Sequence, residues 1–185
     1  MTNIEDSFEN FLLKQNSIRE RNIIVTSIKQ DFLNGKLDLP IPIWKIDDNE
    51  IDLTLQRDKI HPKLLEKGIS VIKDVSLDRL LNLFTIQDQR MFTGKELFDN
   101  KFNDTTISTI LDFWKKDQSL LPPTICIFNK DYMELVCKNG IPSKELQPID
   151  GKHRLRTAIY CGASKIPILV PTFQLEGVKK KLFTV

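Results

Sequence analysis

Two adjacent prolines, Pro122 and Pro123, divide the clearest helical pattern of this chain from its clearest strand. Upstream, DTTISTILDFWKK (104–116) sets Ile107, Ile110, Leu111 and Trp114 on one helical face. Lysines fill its last turn, where they complement the negative end of the helix dipole. A proline inside a helix removes a hydrogen bond and clashes with the preceding turn, so the helix must stop before the pair. TICIFN (124–129) is then a β-branched and aromatic run suited to a buried strand. The alternation repeats downstream. ELQPI ends an extended segment, a helix follows with Leu155, Ala158 and Ile159 on its buried face, Gly162 closes it, and IPILVPTF is a further apolar strand. Helices and strands interleaved in this way call for a mixed α+β fold, a mixed sheet with helices packed on it.

The remaining segments are assigned on the same rules. Between Glu5 and Leu33, apolar residues recur every three or four positions, as one broken or two successive amphipathic helices require, with Asn34-Gly35 as the stop. LPIPIWKI (39–46) alternates apolar residues around Pro42 and Lys45, which predicts a strand at a sheet edge. SLDRLLNLFTIQ (76–87) predicts a helix capped by Ser76, TGKELFDNKF (93–102) a short helix, and YMELVCKNG (132–140) a hairpin strand.

A length of 185 residues gives one domain with a real core, read as an N-terminal helical extension over 1–36 and a main domain over 37–185. With 41% hydrophobic and 28% charged residues and no uncharged apolar run long enough for a bilayer, the expectation is a soluble protein with no membrane partner. The acidic, amphipathic start reads as helix rather than secretion signal, so the expected compartment is cytoplasmic. Cys126, Cys137 and Cys161 form an odd, scattered set without a CxxC pair, which argues against disulfides and a structural zinc site and leaves buried thiols. A net charge of +2 is far from the strongly basic balance of a dedicated nucleic-acid binder.

The chemistry concentrates in Asp150-Gly151-Lys152-His153-Arg154, which holds one of only two histidines. Pro148 and Ile149 end a strand, Asp150 can cap the next helix, and Gly151 permits a sharp turn. Lys152, His153 and Arg154 then occupy the first turn, where free N–H groups and the positive dipole end face outwards. Positive charge is normally disfavoured there, so three basic-capable residues make sense if an anion is bound. A phosphate would accept the N–H groups, the Arg154 fork and a His153 donor together. Asp150 beside it could hold a divalent cation or accept a proton from an attacking hydroxyl or water.

PIDGKHRLRTAIYCGASKIPILV resembles the signature segment of the ParB/sulfiredoxin superfamily: an extended run into a Gly-x-His-Arg turn, an apolar-faced helix containing Ala, a closing Gly and a strand. The likeness is well specified from Gln147 to Val170. It extends more loosely over Leu39 to Phe173, with IPIWKI as an opening strand and a helical insertion at about 47–103. Members of that superfamily bind nucleotide phosphates on the helix N-terminus. They include CTP-hydrolysing chromosome-partition proteins, ATP-using sulfiredoxins, a free-serine kinase, and plasmid or phage proteins described as nucleases or ATPases. The resemblance therefore implies ATP or another NTP, with Mg²⁺, as cofactors. Gly151, Lys152, His153 and Arg154 would form the phosphate cradle, Asp150, His153 and Arg154 the catalytic set, and Asp150 the metal ligand.

Two departures narrow that expectation. Sulfiredoxins carry a nucleophilic cysteine where Lys152 stands, which removes sulfinic-acid reduction. Partition proteins carry a Gly-Glu-Arg-Arg version of the motif, a second phosphate box and a downstream helix-turn-helix module, which is not expected in a sequence ending at Val185. The match is to the DG-x-HR branch, which leaves three expectations open: an NTP-hydrolysing or phosphoryl-transferring protein, a plasmid- or phage-type DNA-binding protein or nuclease, and a non-catalytic regulatory module. A protein partner or a homodimer is compatible with each.

Other residues have simpler readings. Asp47, Asp48 and Glu50 read as a solvated acidic turn, although some family members place a catalytic acid there. Lys179-Lys180-Lys181 with Lys165 make a basic edge that could touch DNA, and read most simply as a solvated tail. His61, before Pro62, takes no role. Trp44 and Trp114 read as core anchors, with Trp44 also a candidate to stack on a base.

Overall fold

The computed structural model describes residues 15–16, 19–20, 22–23, 26–47, 68–84, 86–92, 97–98, 104–127 and 146–184. It is a mixed α+β structure around one four-stranded sheet. The expected hairpin strand at 132–140 lies outside the described residues, as do Asp48, Glu50, His61, Cys137 and most of the short helix expected at 93–102.

Strand β1 (Ile69–Ser76) runs into helix α1 (Leu77–Asn82), and α2 (Ile86–Phe92) follows. Helix α3 (Asp104–Lys115) precedes β2 (Thr124–Ile127). The C-terminal part is β3 (Leu146–Asp150), α4 (Lys152–Tyr160), β4 (Lys165–Pro171), a short 3-10 turn (Thr172–Gln174) and α5 (Leu175–Phe183). The sheet order is β1-β4-β2-β3. β4 pairs antiparallel with β1 and parallel with β2, and β2 pairs antiparallel with β3. From Ile166 to Pro171 every residue of β4 is buried, the mark of a central strand covered on both faces.

The core is assembled from the apolar stripes the sequence displays. Ile107, Ile110, Leu111 and Trp114 of α3 are buried with Leu155 and Ala158 of α4 and with Ile166, Ile168 and Val170 of β4. α3 packs on α4, while α5 packs on β2 and β4 through Val178 and Leu182. The helical stretch 26–33 joins this core through Ile28 and through Phe32, whose ring meets Phe98 edge-on at 5.3 Å between centroids. An ion pair from Lys29 to Asp104 adds a polar tie at 2.5 Å. The stop at Asn34-Gly35 is a left-handed closure: the Lys36 amide bonds the Asp31 carbonyl and the Gly35 amide the Phe32 carbonyl.

Four sequence expectations are corrected. Residues 39–46 are extended but do not form a strand of the sheet; they make one isolated bridge, Trp44 to Leu120. Pro40 and Pro42 lack the amide donors that a longer ladder needs. The strand that does open the sheet is β1, whose period of two is broken by a bulge between Ile72 and Val75, with Asp74 at φ 55. Ser76 caps α1 as expected, its hydroxyl accepting from the Arg79 amide at 3.4 Å, but the helix stops at Asn82 and α2 begins anew. The lysine run 179–181 belongs to α5 rather than to a tail, and Arg79 caps that helix by donating to the Lys181 and Thr184 carbonyls.

Gln174 does what a further strand residue would do. β4 leaves the sheet at Pro171, and the Gln174 side chain takes over: its Oε1 accepts from the Ile127 amide at 2.8 Å and its Nε2 donates to the Ile127 carbonyl at 3.0 Å. The last residue of β2 therefore stays paired on the side where β4 has turned away.

Candidate anion site at the start of α4

The sequence brings its candidate residues together at one place because β3 ends directly in a helix. Asp150 is the last residue of β3, and Gly151 is the N-cap of α4 at φ 76, ψ 20, a left-handed conformation that side chains with a Cβ adopt only at a cost. The expectation that Asp150 caps the helix is corrected: the N-cap is Gly151, which has no side chain to cap with. The carboxylate instead pairs with Arg154 one turn on, Nη2 donating to Oδ2 at 2.6 Å. Both side chains are largely enclosed, Arg154 at 20% and Asp150 at 15% exposure.

Gly151 is needed for space as well as for φ. A Cβ there would lie 2.8 Å from the Pro123 Cα and 2.8 Å from Arg154 Nη2. Pro123, the second proline of the pair between α3 and β2, thus forms the wall of the turn. Beside it stands Thr124, the cross-strand partner of Asp150. The ladder is irregular here: a bulge falls between this pair and the next, Ile125 with Pro148. Thr124 is fully buried, and neither its Oγ1 nor Arg154 Nε has a hydrogen-bond partner.

Lys152, His153 and Arg154 form the first turn of α4, all partly buried, with no acidic residue among them. Their amides precede the first intrahelical bond, from the Leu155 amide to the Gly151 carbonyl. The turn thus offers outward-directed donors, a dipole end of positive sign and a guanidinium held by one carboxylate. Asp150 is the one carboxylate of the turn, and its Oδ2 is engaged by Arg154. Among the described residues no three His, Cys, Asp or Glu side chains converge elsewhere to form a metal centre.

Sequence reasoning missed two residues. Thr124 carries no motif signal, since its place beside the turn comes only from the pairing of β2 with β3. Arg156 reads as a second basic residue of α4 but is fully buried, donating from Nε to the Leu97 carbonyl at 3.4 Å and from Nη1 to the Met91 carbonyl. Its guanidinium also lies 5.2 Å from the Tyr160 ring centre. Arg156 is an anchor between α4 and the chain around α2, whereas Arg154 belongs to the site.

Other candidates fall elsewhere. Trp44 packs edge-on against Trp114, with centroids 5.3 Å apart, while the Trp114 indole donates to the Ile43 carbonyl at 3.1 Å. Both act as core anchors. Trp44 also lines a cleft of about 380 Å³ with Asp74, Lys165 and the Cys161–Ser164 turn, at the far end of α4 from Gly151. Asp47 is exposed. Lys179 and Lys180 are exposed on α5, and Lys181 is partly buried. Cys126 and Cys161 are free thiols, each pushed up to about 12 by burial, which keeps them protonated and weakly nucleophilic at neutral pH. No helix among the described residues is long and apolar enough to cross a membrane. No protein-family model matches the chain, and neither the curated proteins nor the solved structures include a significant match to it.

Proposed function

We propose that this protein binds the phosphates of a nucleoside triphosphate at the start of α4 and hydrolyses the nucleotide or transfers its terminal phosphoryl group. One observation carries the reading: three basic-capable residues and no acid occupy the first turn of a helix whose N-cap is a glycine. A like-signed cluster at the positive end of a helix is unfavourable unless an anion completes it. The likeness of PIDGKHRLRTAIYCG to the ParB/sulfiredoxin signature adds to this from the side of sequence.

In this reading the Lys152 and His153 amides, in the turn that Gly151 makes possible, hold phosphate oxygens. Arg154 turns its fork from Asp150 to the phosphate and stabilises charge developing on the transferred group. Asp150, once released, accepts the proton of the attacking water or hydroxyl as its oxygen bonds to phosphorus and the leaving phosphate oxygen departs. His153 donates to a phosphate oxygen. Mg²⁺ would neutralise charge across adjacent phosphates, with Asp150 its one ligand from this turn. Calorimetric titration with ATP, CTP and GTP, each with and without Mg²⁺, tests the reading. Binding is expected for at least one nucleotide, and the absence of heat at millimolar concentrations of all three would overturn it.

A second reading, contact with DNA, draws on the exposed Lys179 and Lys180 of α5. It predicts retention on DNA that falls steeply with salt, because each phosphate contact releases counterions. Unchanged retention in the Lys179→Glu, Lys180→Glu double variant would rule out this helix as the contact.

A further inference from the structure

The cleft at the far end of α4 holds two opposite charges that do not pair. Its volume is about 380 Å³, within the range of small-molecule sites. One part of its lining is apolar: Ile41, Pro42 and Trp44 of the extended stretch 39–46, with Pro167 of β4. Asp74 and Lys165 line the same space. Both are exposed, and among the described residues neither side chain forms an ion pair, with the other or elsewhere. They come from neighbouring strands: Lys165 stands opposite Ser76 and Ile166 opposite Val75, and Asp74 is the next residue of β1. Asp74 is also the left-handed residue of the β1 bulge, at φ 55. A bulge leaves its extra residue out of the ladder and re-aims the side chain, and such kinks gather beside binding sites. In β1 the break falls where the strand meets the cleft.

We propose that this cleft binds a small zwitterion with an apolar side chain, an α-amino acid of the leucine or phenylalanine kind. Asp74 takes the ammonium group, Lys165 takes the carboxylate, and the apolar side chain lies against Trp44, Ile41 and Pro42. A ligand of negative charge alone would meet Asp74, and one of positive charge alone would meet Lys165, so only a ligand bearing both signs is favoured by both residues. The Trp44 ring supplies apolar contact at low entropic cost. The proposal is independent of the anion site at Gly151, which lies at the other end of α4, and either can fail without the other.

Calorimetric titration of the full chain with leucine and with phenylalanine, in the absence of nucleotide, tests it. Saturable binding is expected for at least one of them. The N-acetyl form of that amino acid lacks the ammonium charge and its amide form lacks the carboxylate. Each is expected to bind about three- to tenfold more weakly, a loss between that of an exposed ion pair and that of a charge-assisted hydrogen bond. Two variants assign the partners. Asp74→Asn, a residue that tolerates the left-handed backbone, should lose the preference over the N-acetyl form and keep the preference over the amide. Lys165→Gln should do the reverse. Both changes are at exposed positions, and urea unfolding midpoints close to that of the unaltered chain show that the variants fold. No saturable heat from either amino acid at millimolar concentrations overturns the proposal, and so does binding that keeps both preferences in both variants.

Discussion

Gly151 and Gly162 bracket α4 at nearly the same backbone angle, φ 76 and φ 77, so the same substitution at both separates the cost of conformation from the cost of crowding. Alanine in the left-handed region costs about 1–2 kcal/mol, offset by about 0.4–1 kcal/mol because the unfolded chain also loses freedom. At Gly162 that is the whole account, since nothing lies within 4 Å of an added Cβ. Gly162→Ala should therefore cost about 1 kcal/mol. At Gly151 the added carbon would sit 2.8 Å from the Pro123 Cα and 3.1 Å from its Cβ. Carbon atoms pack at about 3.5–4.0 Å, so the turn must draw back from β2 by more than half an ångström or so. Overpacking of that kind costs about 1–3 kcal/mol, which places Gly151→Ala at about 2–4 kcal/mol in all. The added carbon would also lie 2.8 Å from Arg154 Nη2 and displace it, so on the proposed anion-site reading affinity for nucleotide per folded molecule should fall in Gly151→Ala alone. Urea unfolding of both variants reads the first difference and calorimetry the second. Stability losses within about 0.5 kcal/mol of each other would refute the close packing of the turn on Pro123.

Arg156→Met keeps much of the side-chain volume but leaves the Met91 and Leu97 carbonyls without their donor. Two charge-assisted bonds at about 1.5–3 kcal/mol each predict a loss of about 3 kcal/mol or more, against total stabilities of about 5–15 kcal/mol, measured by chemical denaturation. A loss under about 1 kcal/mol would mean that water replaces the guanidinium. Cys126 gives a pH signature. Its thiol pKa rises from 9.0 to about 12 on burial, so between those values the unfolded chain has released a proton that the folded chain keeps. Stability should fall as pH rises through this window, by up to about 1.4 kcal/mol per pH unit, with no contribution from this group below pH 9. Cys126→Ala should flatten the fall, and an unchanged slope would refute the burial argument.

The sequence made the C-terminal half legible because each element there is bounded by a strong local signal. The proline pair bars helix ahead of β2, although α3 itself already closes at the left-handed Asp117, Gly151 opens α4, Gly162 closes it, and β4 is apolar almost without a break. β1 was hidden by its own bulge: Lys73 and the left-handed Asp74 interrupt the alternation that identifies a strand. Residues 39–46 misled in the opposite sense, showing strand-like alternation on a backbone with too few donors to join a sheet. At the candidate site, the residue types and the turn were readable, but the pairing was not. Whether Asp150 caps the helix or binds Arg154 depends on the φ of Gly151 and on the wall made by Pro123. The buried state of Arg156 depends on carbonyls some 60 residues away, at separations of 59 and 65. Thr124 acquires its place only when β2 and β3 pair.

The pairing of β1 with β4 sets an order of events during synthesis. Among the described residues β1 sits at the edge of the sheet and has β4 as its only strand neighbour. Ser70 and Thr172, which share a hydrogen bond beside this ladder, are 102 residues apart. A ribosome adds about 5–20 residues per second, so the first strand made waits several seconds for the last one. During that wait ISVIKDVS is an unpaired β-rich segment, the kind that finds partners on other chains. Lys73 and Asp74, both exposed, stand in its middle. The charged interruption that hides the alternation of β1 in the sequence thus also places two charges at the middle of the segment left waiting, where they oppose pairing with other chains.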